Sequence, residues 1–307
     1  MTQQTSNLIK LSACYIIWGT AALYWNLFSE FGLVFKVACR VLFSFIFCII
    51  CLAASGKLSS IIETLTDKAR IKYLVLYSIS IGANWLIYVW SLSNGHVIDA
   101  SLGNYMSPIA ISVLSIFIFR EKADVFQILS LSIALLGLVI SILAYGSFPC
   151  AGIIAMATFT AYTLFKKKAG VQGLTASAIE TGLLCPFALA YILIFGRGEC
   201  GFGAINSIWD LLLLFSTGIY TAVPFVLYAS GVNSFSSLFI GLTGMFTPTI
   251  TLITGVLFLG EKLNRASLIN FLCILIALVF FIISLIRKDI LLKKPLKAAQ
   301  KAKDMPM

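Results

Sequence analysis

Ten stretches of mostly apolar residues, separated by short polar connections, constrain this chain more than any other feature. They run over 8–28, 32–54, 71–93, 98–119, 125–145, 149–165, 175–195, 209–230, 236–259 and 266–286. A helix needs about 20 apolar residues to cross a bilayer, whereas barrel strands read as alternating segments of about ten. Inside lipid every backbone amide must find an internal partner, which leaves helices as the spanning unit here. Composition agrees, with 60% hydrophobic and 11% charged residues and a mean hydropathy of +1.01. A soluble domain carries roughly 45–50% apolar and about 25% charged residues, so the surplus apolar surface must face lipid. The longest connection, 55–70, leaves no room for a soluble domain. The first run has no small-residue cleavage site behind it and reads as a span rather than a signal peptide. The expected fold is an all-α polytopic membrane protein of ten transmembrane helices.

The formal charge of +10 does not form a nucleic-acid patch, because the basic residues lie between the apolar runs and in the tail. With a cytoplasmic N-terminus, seventeen of the 22 Lys and Arg fall in cytoplasmic segments and three (Arg197, Lys262, Arg265) outside. That bias places both termini in the cytoplasm; the expected location is a bacterial cytoplasmic membrane. The basic segment 291–307 reads as a disordered anchor near anionic lipid. Cys48 and Cys51 form a C-x-x-C inside an apolar run, where buried spectator thiols are expected rather than redox or metal chemistry. The one histidine, His96, sits in an outer loop without a second ligand nearby, so no metal is expected. No phosphate loop or nucleophile motif occurs, and no cofactor and no enzyme activity are expected.

The chain resembles itself at an offset of 140. Residues 107–122 read SPIAISVLSIFIFREK and residues 247–262 read TPTITLITGVLFLGEK. The same offset aligns Pro108 with Pro248, Glu121 with Glu261 and Tyr88 with Tyr228. The repeat unit is therefore five spans, 1–146 and 147–290. An odd number of crossings inverts the second copy. Inverted repeats are the architecture of secondary transporters, with the binding site near the midplane between halves.

Two charges fall inside spans. Arg40 lies about 12 Å into the second span at 1.5 Å per residue, and Glu180 occupies the equivalent position in the seventh. Such charges face a cavity or a partner. Arg40 and Glu180 are read as lining the path, Arg40 meeting an anionic group and Glu180 a cation or proton; snorkelling or a structural ion pair is the competing reading. Asn84, Tyr88 and Ser91 share a helix face beside Trp85, as do Ser101, Asn104, Pro108 and Ser112. Pro108 and Pro248 each free a carbonyl four residues back, at Asn104 and Gly244, and are read as helix kinks. Glu121 and Glu261 end equivalent helices beside Lys122 and Lys262, where interfacial ion pairing is expected.

Trp18-Gly19, Cys39-Arg40, NWLIYVW (84–90), ASLGNY-x-x-P (100–108), Lys167-Lys168, Ile179-Glu180-Thr181, Val223-Pro224 and GEK (260–262) together resemble the EamA or drug–metabolite transporter superfamily. The match is closest to its RarD branch, named for chloramphenicol sensitivity. The chain departs from that branch at Lys36, where an acidic residue is usual, and at Cys39, where a histidine is usual. The resemblance implies a permease of ten spans in two repeats. The combined expectation is a secondary transporter of a small amphipathic metabolite or drug, with Arg40, Asn84, Trp85, Tyr88, Asn104, Tyr105, Tyr162, Glu180 and Tyr228 lining its cavity. Uptake or exchange of an amino acid or nucleoside-like solute, and a scaffold or sensor without flux, are the alternatives. Protons or a counter-substrate are the candidate coupling partners, and the oligomeric state is left open.

Overall fold

Every regular element of the computed structural model is helical among the described residues, which are 3–28, 30–171, 173–260 and 265–303. In chain order the helices are α1 (Gln3–Gly19), α2 (Ala21–Trp25), α3 (Leu33–Ala54), α4 (Ser59–Thr66), α5 (Lys68–Ser93), α6 (Val97–Ile118) and α7 (Val125–Tyr145). They continue as α8 (Cys150–Ala169), α9 (Gly173–Phe195), α10 (Ile208–Ser234), α11 (Ser237–Gly244), α12 (Phe246–Phe258) and α13 (Arg265–Lys303).

Short polar motifs fix where these helices begin. Asp124 and Gln127 form a reciprocal capping box at the start of α7, and Ser207 with Asp210 does the same for α10. Asp67 accepts the Ala69 N–H at 3.0 Å to open α5. At the other end of α8 the chain turns on Gly170, whose φ of 66° suits a residue without a Cβ.

Among the described residues eight spans are long and apolar enough to cross a membrane, one of them formed by α11 and α12 together. The chain is a multi-pass membrane protein. Side chains such as Leu143 and Phe187, each 75% exposed, form the apolar perimeter that lipid would cover. The two other expected spans are helical but do not meet that standard. The first is divided at Thr20, leaving 17 residues in α1, and α8 ends in Lys166, Lys167 and Lys168. The backbone of α13 is helical to Lys303, through Pro295 and into the segment read above as a disordered tail. Glu261 and Lys262 lie outside the described residues.

The offset of 140 is written into the architecture. α3, α5, α6 and α7 start at 33, 68, 97 and 125; α9, α10, α11 and α13 start at 173, 208, 237 and 265. Packing follows the same relation. α3 lies against its counterpart α9 and α7 against its counterpart α13, while α5 packs on α8 as α10 packs on α1. Small residues allow the closest approaches. A Cβ on Gly103 would stand 2.8 Å from the Gly152 carbonyl oxygen where α6 crosses α8. Cys48 is a buried free thiol against Leu52, Ala178 and Ala222.

The proline positions behave differently in the two halves. α6 runs through Pro108 as one helix, but the equivalent span divides at Met245, so that Pro248 sits in the first turn of α12. The Pro248 ring would crowd the carbonyl of Gly244, where α11 ends.

Candidate functional site

A cavity of about 500 Å³ opens between the halves. Helical periodicity decides who faces it. α5 presents Ile81, Asn84, Trp85, Tyr88, Val89 and Leu92, a single stripe at three- and four-residue steps. α6 presents Asn104, Ser107, Pro108 and Ile111; the 140-related positions Gly244, Thr247, Pro248 and Thr251 also line it. Trp85 and Tyr88 face it together with their counterparts Phe225 and Tyr228. Six pairs of equivalent positions thus meet around one space.

The cavity lies near the start of α3 and the end of α5, where Leu92 is 47% exposed at its rim. Its wall is aromatic. The Trp18 ring centroid lies 5.3 Å from Phe225, 5.0 Å from Tyr228 and 5.9 Å from Phe159. Trp85 meets Phe225 edge-on at 5.7 Å. The Arg40 guanidinium carbon lies 4.3 Å from the Trp85 ring centroid and 5.2 Å from that of Trp25. Arg40 Nε is buried and has no hydrogen-bond partner.

The polar lining is tied to the scaffold. The Asn84 amide donates to the Ala155 carbonyl at 2.9 Å and to the Thr158 hydroxyl at 3.1 Å, joining α5 to α8. The Tyr88 hydroxyl donates to Asn104 Oδ1. Tyr15 donates to the Ile240 carbonyl at 3.0 Å, and the Tyr228 and Thr163 hydroxyls share a 2.8 Å bond. These bonds hold side chains of both halves in fixed rotamers around the space.

Arg40, Asn84, Trp85, Tyr88, Asn104 and Tyr228 line the cavity; Tyr105, Tyr162 and Glu180 do not. Tyr105 packs instead on an apolar core that includes Leu102 and Met106. Glu180 is 1% exposed and pairs with Lys166, 0% exposed, at 2.6 Å. Lys166 Nζ also donates to the Tyr162 hydroxyl at 2.6 Å, and Tyr162 donates to Glu180 at 3.2 Å. This closed triangle lies near the end of α8 and the start of α9, in the opposite half of the bundle from the cavity mouth. Tyr162 stacks on Tyr228 at 6.2 Å between the two regions. Lys166 looks in sequence like one of three interfacial lysines. Its four-residue spacing from Tyr162 puts both on the buried face of α8, the one signal that distinguishes it from Lys167 and Lys168.

Glu121 is ion-paired as expected, but among the described residues its partner is Lys167 rather than the adjacent Lys122. Its carboxylate accepts the N–H groups of Ser237 and Leu238 at 2.8 and 2.7 Å, at the N-terminus of α11, and lies 3.5 Å from Lys167. Lys167 in turn donates to the Phe235 carbonyl at 2.6 Å. The end of α6 is thus clasped to the other half by helix-terminus donors and a cation. Glu121→Ala should cost about 0.5–2 kcal/mol, the range for losing a helix cap, read as a lower thermal unfolding midpoint in detergent. An unchanged midpoint would show the clasp to be energetically idle.

A sequence model described as the EamA-like transporter family matches the chain twice, over residues 7–143 and 147–283. The second match begins 140 residues after the first, the same offset found in the sequence and in the helix starts. The chain is 31% identical over 283 residues to "Uncharacterized transporter YojE" of Bacillus subtilis (strain 168), covering 91% of this chain and 94% of that one. It is 27% identical over 284 residues to "Protein RarD" of Escherichia coli (strain K12), covering 92% and 96%. A solved structure, described only as a crystal structure of protein, superposes with a TM-score of 0.71 at 16% identity, over 90% of this chain and 96% of the other. That last likeness concerns the fold alone.

Proposed function

Since the chain belongs to the EamA-like transporter family, we propose that it is a secondary permease carrying a small amphipathic metabolite or drug across the bacterial cytoplasmic membrane by alternating access. The observation that carries this reading is the cavity between the halves, lined by six pairs of positions 140 residues apart. Ten crossings follow if α1 with α2, and α8, span alongside the eight longer elements. Five crossings per repeat then invert the second half. Two inverted copies can exchange their shapes, which supplies a second state open to the other side at similar energy. With both termini cytoplasmic, as the Lys and Arg distribution favours, the cavity described here opens outward.

Arg40, Asn84, Trp85, Tyr88, Asn104 and Tyr228 form the proposed substrate site. Glu180 is assigned instead to the buried pair with Lys166. The aromatic wall suits planar solutes, and it favours uptake or exchange of an amino acid or nucleoside-like compound as the second reading. Protons or a counter-substrate would drive the cycle. A scaffold or sensor would need neither the cavity nor its paired lining.

Reconstitution into liposomes with a panel of labelled metabolites tests the proposal, under counterflow and under an imposed proton gradient. Saturable flux of at least one solute is the expected outcome. Absence of flux from folded protein across a broad panel would sink the permease reading in favour of the scaffold.

A further inference from the structure

We infer that the cavity selects an organic anion, whose carboxylate pairs with Arg40 while its planar apolar body lies against the tryptophan wall. The inference rests on the permease reading above and gives its cargo a charge class.

The first support is the charge of the lining. Arg40 lines the cavity from α3, and no Asp or Glu does so among the described residues. A cationic solute would meet like charge without a carboxylate to receive it. A neutral solute would leave the strongest donor in the site unanswered.

The second is the state of Arg40 itself. No hydrogen bond or ion pair joins its side chain to any described residue, and its Nε is buried without a partner. What holds it are the rings of Trp25 and Trp85. Ring contacts use the face of a guanidinium, whereas its N–H donors point outward in the plane. The tryptophans therefore position the group and leave its edge available for a bidentate acceptor.

The third is a broken symmetry. Glu180, the counterpart of Arg40, is neutralised by Lys166. The position 140 residues before Lys166 is Asn26, which carries no charge. The half that holds Arg40 thus lacks the counterpart of the pair that balances Glu180, and its countercharge is left to a ligand. Trp18, Phe159 and Phe225 supply the apolar surface beyond it.

Three probes with the same phenyl body test this: phenylacetate, 2-phenylethanol and 2-phenylethylamine, bound to the full-length protein in detergent. Quenching of tryptophan emission and the shift in thermal unfolding midpoint are the readouts. Phenylacetate should bind at least about tenfold more tightly than the other two, the discrimination expected of one charge-assisted hydrogen-bonded pair. Arg40→Gln should remove that preference, and Arg40→Lys should keep part of it. If Arg40→Gln does not fold, the wild-type comparison and Arg40→Lys decide. Equal or weaker binding of the acid, binding of none of the three, or an intact preference in Arg40→Gln overturns the inference. Liposome flux separates it from the permease reading. Flux without anion preference removes the anion site and leaves the permease, while anion binding without flux does the reverse.

Discussion

Glu180→Leu should destabilise the protein by roughly 3–5 kcal/mol, the range for leaving one member of a buried ion pair without its partner. Lys166 would keep its Tyr162 contact but lose its counter-ion in a place with almost no access to solvent, at 0% exposure. Lys166→Met alone should cost a similar amount, because Glu180 would then be the orphan. The double variant Lys166→Met/Glu180→Leu should recover most of the loss, since two apolar side chains of similar volume remove both desolvation costs at once. Thermal unfolding of the four proteins in one detergent closes the cycle. Additive losses in the double variant would mean that the two groups do not interact energetically. A pair whose removal spares stability and abolishes flux would instead be part of the coupling machinery.

Gly244→Phe should abolish transport while moving stability by no more than about 0.5 kcal/mol, the usual range for substitutions away from packed features. Gly244 ends α11 and lines the cavity, and a Cβ there would meet Pro108 at an ordinary 3.6 Å. The backbone therefore accepts a side chain, and a benzyl group would occupy space that a solute needs. Its counterpart Asn104 already projects into the same cavity. Gly244→Ala is the control, with flux retained. Continued transport by Gly244→Phe would show that solutes do not pass through this cavity.

Much of this architecture was legible in the chain because lipid imposes a simple rule on it. Apolar length marks the helices, and the proline–glutamate spacing marks the repeat. The stripe on α5 was legible for the same reason, since Asn84, Trp85 and Tyr88 are unusual residues at helical spacing in an apolar run. Glu180 illustrates the opposite case. Its depth calls for a partner, but only the four-residue spacing from Tyr162 separates Lys166 in the sequence from an interfacial lysine at a helix end. Residue type alone places Tyr105 and Tyr162 in the cavity, whereas a helix rotation of one residue decides between cavity and core. The division at Met245 was hidden too, because Pro108 and Pro248 look equivalent and only the packing of α11 distinguishes them.

The cavity has a consequence for how the protein experiences membrane voltage. A space open to water conducts, so the potential does not fall evenly through the bilayer. It concentrates across the part of the protein that is not hollowed out. There it meets the layer holding Tyr162, Lys166 and Glu180. One elementary charge crossing 100 mV is worth about 2.3 kcal/mol, so a lone ion in that layer would tie the conformational equilibrium to the resting potential. Lys166 and Glu180 form an ion pair of zero net charge. A neutral pair feels no net force in a steep field, so voltage sensitivity is left to the charges that line the cavity, Lys36 and Arg40.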